Sequence, residues 1–264
     1  MDLGLRDRVC IVTGGSGDIG LAVAARLRDE RARVLLVARS EDGLRAAAGE
    51  LNAGEQVQWL ALDVTAPDAG ERAVAKCQES FGGVDVIVNA AGMTTVTAIE
   101  ELDDAEWQAQ WEVNVMGPMR LMRAALPAML QAGWGRVVNV SSSSGKRPGQ
   151  RNVAYSVAKA AELSLSRAYA DAYASRGVLI NAVTPGPVAG DLWLGPGGLV
   201  DQTVQARGGT REDVLESAAA GVPIRRLADP DEIAAVVVFL CSQAASNVAG
   251  AAWSVDGGAV PVII

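Results

Sequence analysis

The stretch Val9-Cys-Ile-Val-Thr13-Gly-Gly-Ser-Gly-Asp-Ile-Gly20 decides the fold of this chain. Its apolar, β-rich start predicts a buried strand, its glycines predict a tight turn, and the residues from Leu21 to Arg31 have helical spacing. Backbone N–H groups at the start of a helix bind pyrophosphate, and glycine lets the backbone approach it closely. The stretch therefore predicts a nucleotide-binding turn between a first strand and a first helix.

The alternation of strand and helix continues along the sequence. We predict further strands at 34–38, 57–62, 85–88, 136–140, 178–183 and 251–255. We predict further helices at 67–81, 102–130, 152–176, 211–220 and 229–241, with a bend after Asn114 caused by Gly117 and Pro118. This order predicts an α/β fold with a mostly parallel, seven-stranded sheet and helices on both faces. The Gly-rich stretch 190–209 is expected to be irregular, as part of a substrate lid at about 188–222.

Composition limits the classes of function. The 264 residues contain no linker rich in Ser, Pro or Gly and are 50% hydrophobic, which predicts one domain spanning 1–264. The net charge of −8 argues against nucleic acid as a partner, since phosphate binding needs a clustered basic face. No apolar run is long enough to cross a membrane, and the charged start from Met1 to Arg8 does not fit a signal peptide. We therefore expect a cytoplasmic protein without a membrane partner.

The chain contains no histidine and three scattered cysteines. The absence of histidine excludes Ser-His-Asp and Cys-His catalysis and argues against a metal enzyme. The odd number of cysteines predicts reduced thiols in the core rather than disulfides. Proton transfer would therefore have to use Tyr, Lys, Asp, Glu or Cys.

Tyr155 and Lys159 are the strongest candidates for such chemistry. A spacing of four on a predicted helix places both side chains on one face, one turn apart. A free tyrosine titrates near pH ~10, and a neighbouring cation lowers that value, which makes Tyr155 a candidate general acid or base. The same spacing occurs by chance on many helices, so the pair needs support from the rest of the chain.

Polar or small residues follow several predicted strands, at the edge of the sheet where open α/β folds bind ligands. After the second strand the chain has Arg39-Ser40 and no acidic residue, which favours the 2′-phosphate of NADP(H) over the free ribose of NAD(H). NAD(H) stays open as the alternative cofactor, because Arg39 could also be a solvated loop charge. Asp63 is expected near an adenine, or else is a turn residue at the end of its strand.

At this point the sequence resembles the short-chain dehydrogenase/reductase family over nearly its whole length, and in particular its 3-oxoacyl-carrier-protein-reductase-like branch. Five features agree in order and spacing. They are the turn with Thr13, Gly14 and Gly20; Asn89-Ala-Ala-Gly92; Asn114; Ser142, thirteen residues before the Tyr155-Lys159 pair; and Pro185-Gly186 after the sixth strand.

The resemblance implies a Rossmann-type, doubly wound fold and hydride transfer between a nicotinamide and a carbonyl or alcohol carbon. It implies that Tyr155 donates a proton to the developing alkoxide, that Ser142 hydrogen-bonds the same oxygen, and that Lys159 and Asn114 support Tyr155. A solvated loop serine and a surface amide are the alternatives for Ser142 and Asn114. The cofactor residues expected from the resemblance and the strand ends are Thr13, Gly14, Ser16, Asp18, Ile19, Gly20, Arg39, Ser40, Asp63, Val64, Asn89, Ala90, Gly92, Tyr155, Lys159, Pro185, Gly186 and Val188.

The chain departs from the family pattern at two positions. Asp18 replaces a glycine of the nucleotide turn, and we expect its carboxylate to turn away from the pyrophosphate and cap the first helix. Gly190 stands where the family often has a threonine hydroxyl that holds the nicotinamide carboxamide. Its absence leaves the backbone of Val188 to hold that group.

The substrate is the least determined part of the prediction. Met93, Ser144, Gln150 and Trp193 are candidate substrate residues, and Val96, Leu192 and Leu194 would extend an apolar wall. Alternatively, a basic loop with Lys146, Arg147 and Arg151 could meet an anionic or carrier-linked substrate. A nucleotide-binding epimerase or dehydratase and a non-catalytic cofactor sensor stay open as alternative functions. The apolar tail 260–264 predicts a subunit interface in a homo-oligomer, a tetramer or a dimer.

Overall fold

The computed structural model describes residues 2–52 and 54–261, and its centre is a seven-stranded parallel sheet. The strand order is β3-β2-β1-β4-β5-β6-β7. Every predicted strand forms, with ends that differ by one or two residues. The strands are β1 Val9–Thr13, β2 Arg33–Ala38, β3 Val57–Ala61, β4 Val86–Asn89, β5 Gly135–Val140, β6 Val178–Pro185 and β7 Ala252–Val255.

Helices connect the strands, so the predicted fold class is confirmed. They are α1 Asp18–Asp29, α2 Glu41–Leu51, α3 Ala69–Phe81, α4 Asp104–Trp111, α5 Gly117–Ala132, α6 Val153–Tyr173, α7 Asp191–Leu194, α8 Leu199–Arg207, α9 Arg211–Ala220 and α10 Pro230–Cys241. None of the helices formed by the described residues has the length and apolar character that a membrane span needs.

The sheet is buried on both faces, which explains why its central strands are almost continuously apolar. Alternate residues of a strand point to opposite faces, and in β1 Val12 joins a core with α1, α2 and α10 whereas Ile11 joins a core with α3 and α5. Each face therefore has its own apolar cluster. The two clusters pack the parallel strands from both sides, and the carboxyl ends of the strands together form one edge of the sheet.

The three cysteines lie in these cores as free thiols, as the sequence predicts. Burial raises the pKa of Cys77 and of Cys241 to about 12. These thiols are therefore unreactive packing residues.

The strand order reverses between β1 and β4, which creates the crevice that binds ligands in open α/β sheets. In the register of the sheet, Thr13 at the end of β1 lies beside Val37 of β2 and Asn89 of β4. The loops after β1, β2 and β4 consequently leave the sheet side by side, and each carries residues predicted for the cofactor.

The predicted helix 102–130 is divided in the structure. After α4 the residues Glu112–Met116 form a π-helical turn, and α5 begins at Gly117. Pro118 has no N–H to donate to the carbonyl of Asn114, so the regular ladder cannot continue there. The predicted disturbance exists, but it begins before Gly117 and includes Asn114 itself.

The expectation that 190–209 is irregular is wrong, because α7 and α8 lie within it. Val200 of α8 is fully buried and α8 packs against α9, so tertiary packing stabilises this helix. The glycines on both sides of α8 favour an irregular structure in a prediction from sequence alone. Of the apolar tail, Val260 is buried, whereas 262–264 lie outside the described residues.

Candidate active site

A cavity of about 1470 Å³ follows the carboxyl edge of the sheet from the glycine turn to the 188–222 segment. It brings together most of the predicted site residues. They are Gly14, Ser16, Asp18, Ile19, Gly20, Arg39, Ser40, Asp63, Val64, Ala90, Gly92, Met93, Ser142, Ser144, Tyr155, Lys159, Pro185, Gly186, Val188 and Trp193. Four predicted residues do not line it, namely Thr13, Asn89, Asn114 and Gln150.

The glycine turn has the shape that a pyrophosphate requires. Gly14 has a φ of +67°, and an added Cβ there would stand 2.8 Å from the carbonyl oxygen of Ala90, so only glycine fits. No side chain caps the N-terminus of α1, and the turn lines the cavity. The uncapped start of a twelve-residue helix therefore faces the cavity with its positive dipole end.

Asp18 does not cap α1, so that expectation is wrong. Its Oδ2 instead accepts a hydrogen bond of 2.5 Å from the backbone N–H of Asp191, at the start of α7. Asp18 is itself the first residue of α1, where its side chain is free to reach the 188–222 segment rather than its own helix. Burial raises the pKa of Asp18. The hydrogen bond from the Asp191 backbone lowers this pKa in part, whereas the nearby Asp191 carboxylate raises it further.

The end of β2 presents a cation to the cavity. Arg39 lines the cavity, and among the described residues no carboxylate forms an ion pair with it. Ser40 caps α2 by accepting a hydrogen bond from the N–H of Gly43 at 3.1 Å. Asp63 accepts from the backbone and hydroxyl of Thr65, and these bonds lower its pKa, helped by the charge of Arg39. The guanidinium is thus available to an anionic group in this part of the cavity.

Thr13 and Asn89 hold the loop after β4 in place without lining the cavity. The hydroxyl of Thr13 accepts hydrogen bonds of 3.2 Å from the N–H groups of Ala90 and Ala91. The amide of Asn89 donates to Asn139 at 2.8 Å on the neighbouring strand. Both residues are buried, and they fix the loop after β4 rather than lining the cavity.

A trio of the four predicted catalytic residues lines the cavity, namely Ser142, Tyr155 and Lys159. Ser142 follows β5, while Tyr155 and Lys159 lie one turn apart on α6. The Lys159 ammonium lies 5.9 Å from the centre of the Tyr155 ring and donates to the carbonyl of Val140 at 2.9 Å. The hydroxyl of Ser142 accepts from the N–H of Ser144 at 3.1 Å, which turns the loop after β5 toward α6.

Asn114 lies behind this group, in the π-helical turn. Its Nδ2 donates to the carbonyl and side-chain oxygens of Gln110, each at 3.0 Å. Its Oδ1 is buried and has no hydrogen-bond partner. A Cβ placed on Gly92 would stand 3.4 Å from this oxygen and 3.8 Å from the Lys159 ammonium. Glycine at 92 therefore leaves room between an unpaired acceptor and a cation, where a water or ligand hydroxyl fits.

The family model described as short chain dehydrogenase matches residues 8–194, which contain the turn and the trio. This chain belongs to the short-chain dehydrogenase family. It is 33% identical to the acetoacetyl-CoA reductase of Allochromatium vinosum, over 95% of this chain and 98% of that protein. It is 33% identical to the 3-oxoacyl-[acyl-carrier-protein] reductase of Vibrio cholerae, over 97% and 98%. The resemblance predicted from the sequence is confirmed.

A solved structure shares the fold over the full length of both chains. The L-sorbose reductase of Gluconobacter frateurii, complexed with NADPH and L-sorbose, superposes with a TM-score of 0.92 and is 34% identical, with 100% of each chain covered. This protein is accordingly an oxidoreductase of the short-chain dehydrogenase family.

The part of the cavity beyond Tyr155 has an apolar wall in this short-chain dehydrogenase. Met93, Leu192, Trp193, Leu199 and Val222 line it. Val96, Leu194, Gln150 and the basic residues Lys146, Arg147 and Arg151 do not. Lys146 instead donates to the carbonyl of Ala252 and the hydroxyl of Ser254, so it ties its loop to β7.

Sequence reasoning missed several cavity residues of this dehydrogenase and one buried charge. Gln108, Glu112, Leu199 and Ser217 line the cavity from helices whose orientation the sequence does not reveal. Glu162 forms an ion pair with Lys159 at 2.9 Å, and its spacing of three from Lys159 on a predicted helix was the available signal. Within 2–52 and 54–261, no group of three or more acidic or Cys side chains is arranged to hold a metal ion.

Proposed function

We propose that the protein is an NADP(H)-preferring oxidoreductase that interconverts a carbonyl and a secondary alcohol, with Tyr155 as the general acid and base. The observation that carries the proposal is the meeting of Ser142, Tyr155 and Lys159 with the glycine turn in one cavity. A non-catalytic sensor needs no such combination, and the relatives that match nearly the full length of this chain include reductases.

The residues present fit a dinucleotide. The glycine turn and the start of α1 receive the pyrophosphate, and Arg39 receives a 2′-phosphate at the end of β2. Pro185, Gly186 and the backbone of Val188 border the nicotinamide end. Support for NADP(H) comes from Arg39, from the absence of an acidic residue at positions 39 and 40, and from the NADPH present in the L-sorbose reductase complex.

A nicotinamide bound there supplies or accepts the hydride. In reduction Tyr155 gives its proton to the developing alkoxide, and Ser142 donates a hydrogen bond to the same oxygen. Lys159 places a positive charge beside the phenol, 5.9 Å from the ring centre. Asn114 holds a water with its unpaired Oδ1 in the space beside Lys159, and this water links that part of the site to the proton pool. In oxidation each of these roles reverses.

An uncharged, largely apolar carbonyl compound fits the substrate side best. Its wall is formed by Met93, Trp193 and other apolar side chains. Glu112 and Asp191 are acidic residues that line the cavity near this wall, and Arg120 neutralises Glu112 in an ion pair with partly buried side chains. Among the described residues, the cations that line the cavity are Arg39 and Lys159, which this proposal assigns to the cofactor, so an anionic substrate group has no further cation there.

The proposal includes a cytoplasmic homo-oligomer. Trp107 and Trp111 of α4 and Val157 of α6 are large apolar side chains that remain exposed on the single chain, which supports a covering partner copy. Light scattering of the purified protein tests this: a single-chain mass of 27.3 kDa at micromolar concentration would contradict it.

The test of the activity is a panel of neutral ketones and aldehydes with NADPH or NADH, followed by absorbance at 340 nm. Tyr155→Phe is expected to lower kcat by about a thousandfold or more while NADPH binding persists. Tyr169→Phe is the matched control, because Tyr169 lies on the same helix but packs against Tyr173 away from the cavity. Turnover of the Tyr155 variant near that of the control would refute the proposal.

A further inference from the structure

Glu162 is a buried carboxylate to which the reaction above assigns no role. It lies on α6, one turn after Lys159, and its side chain is 1% exposed. Its Oε2 accepts a hydrogen bond of 2.9 Å from the Lys159 ammonium. Among the ion pairs formed by the described residues, this is the pair in which both side chains are buried. The catalytic cation of this dehydrogenase therefore has its own counter-ion.

Stability alone does not explain this pair. Removing two charges from water is costly, and well-packed apolar residues in their place are often equally stable. A buried ion pair that adds little stability points instead to a role in orienting its side chains.

The hydrogen bonds of Lys159 indicate that the Glu162 carboxylate helps to orient the ammonium. A lysine ammonium has three donors. One bonds the carbonyl of Val140 and a second bonds Glu162, each at 2.9 Å. Because Lys159 lines the cavity, the third donor is left for the cavity. Two fixed acceptors on the protein side therefore orient the ammonium.

Glu162 is in turn held by the sheet. The hydroxyl of Ser166 donates to the backbone carbonyl of Glu162 at 2.7 Å and accepts from the amide of Asn139 at 2.7 Å. Ser141 donates to the carbonyl of Lys159 at 3.0 Å. The pKa of Glu162 is raised by burial, and the charge of Lys159 and its hydrogen bond offset this only in part. These contacts fix the turn of α6 that contains both charges.

We propose that Glu162 is a positioning residue that holds the Lys159 ammonium in place and aims its free donor at the ribose of the bound nicotinamide nucleotide. This inference rests on the proposed function, because it assigns Lys159 to the cofactor. Loss of the Glu162 charge should weaken cofactor binding and slow turnover together, without changing the fit of the carbonyl substrate.

The experiment compares Glu162→Gln, Glu162→Asp and a control in the full-length protein. Asp85→Asn is the matched control, because Asp85 forms a partly buried ion pair with Arg8 at the opposite edge of the sheet. For each variant we would measure the Kd of NADPH by fluorescence, kcat and the substrate KM, and the urea midpoint. The NADPH titration needs no turnover and so gives a readout separate from activity.

Glu162→Gln is expected to raise the Kd of NADPH about fivefold and to lower kcat about tenfold or more. The substrate KM should stay within about twofold. Glu162→Asp keeps the charge but retracts it, so its values should lie between those of the parent and the Gln variant. Asp85→Asn should change the urea midpoint but neither the Kd nor kcat.

Folded Glu162→Gln protein with an unchanged NADPH Kd and kcat would overturn the inference, and so would equal losses in Asp85→Asn. If the Gln variant does not fold, Glu162→Asp decides in the same way. A parent that binds NADPH but reduces no carbonyl refutes the proposed function alone, and the Kd comparison still tests Glu162. A parent that does not bind NADPH refutes both.

Discussion

The carboxylate of Asp18 occupies the space in which a side chain at Gly190 would stand. A Cβ added to Gly190 would overlap the Asp18 carboxylate and lie 2.8 Å from its Cβ. Asp18 and Gly190 are also the two positions at which the sequence departs from the pattern of the short-chain dehydrogenases. The two departures are therefore coupled. Gly190 has no side chain, and the Asp18 side chain fills the space that this leaves and hydrogen-bonds the backbone of the 188–222 segment.

Gly190→Thr tests this pairing. The added side chain meets the Asp18 carboxylate, so we expect the variant to lose about 1–3 kcal/mol of unfolding free energy through overpacking. Asp18→Gly in the same chain removes the obstacle and should recover most of that loss. Urea unfolding of both single variants and the double variant gives the coupling energy. Additive effects of the two substitutions would show that the residues do not compete for space.

The raised pKa of Asp18 predicts a pH dependence of stability. An acid whose pKa is higher in the folded state stabilises that state below its ordinary value of 3.8, and this contribution is lost as pH rises through the folded pKa. Asp18→Asn retains an acceptor for the Asp191 N–H but does not titrate. Its free energy of unfolding relative to the parent should therefore increase as pH rises from 4 to 7 in urea titrations. A pH-independent difference would contradict the prediction.

The removal of the Asp18 charge should also strengthen cofactor binding. The carboxylate lies beside the start of α1, where the proposed pyrophosphate carries like charge. At pH 8 the Asn variant should bind NADP(H) about threefold to tenfold more tightly, measured by fluorescence titration. Asp191 offers the matched control, because Asp191→Asn changes a neighbouring charge without touching the α1 turn. Equal gains in both variants would indicate a general charge effect.

The sequence predicts the sheet and the common face of Tyr155 and Lys159 because both depend on local signals. Buried strands need continuous apolar runs, and the spacing of Tyr155 and Lys159 on α6 determines their common face. The contact of Asp18 with Asp191 joins positions 173 residues apart, and no local pattern encodes it. Helix α8 was missed for a related reason, since its stability comes from the burial of Val200 rather than from its own glycine-flanked sequence.

Arg39 should determine the choice between the two nucleotides. Arg39→Ala removes the cation at the end of β2, so the KM for NADPH is expected to rise about tenfold or more while that for NADH stays nearly unchanged. Arg45→Ala is the control, because Arg45 is an exposed arginine of α2 that pairs with Glu41 and does not line the cavity. An equal rise in KM for NADPH and for NADH would mean that Arg39 does not bind the 2′-phosphate.

Substitutions in the basic loop after β5 distinguish a free carbonyl substrate from a carrier-linked one. Arg147 and Arg151 lie between Ser142 and Tyr155 in the sequence, yet neither lines the cavity. Arg147→Ala/Arg151→Ala should therefore leave kcat/KM within about twofold, both for a neutral ketone and for its coenzyme A thioester. Lys146→Met is a useful comparison, because Lys146 binds β7 and its loss should lower the urea midpoint. A loss confined to the thioester in the double variant would show that these arginines meet the anionic carrier outside the cavity. That result would overturn the assignment of an uncharged substrate, since the wall formed by Met93 and Trp193 would then receive only the acyl end of a longer molecule.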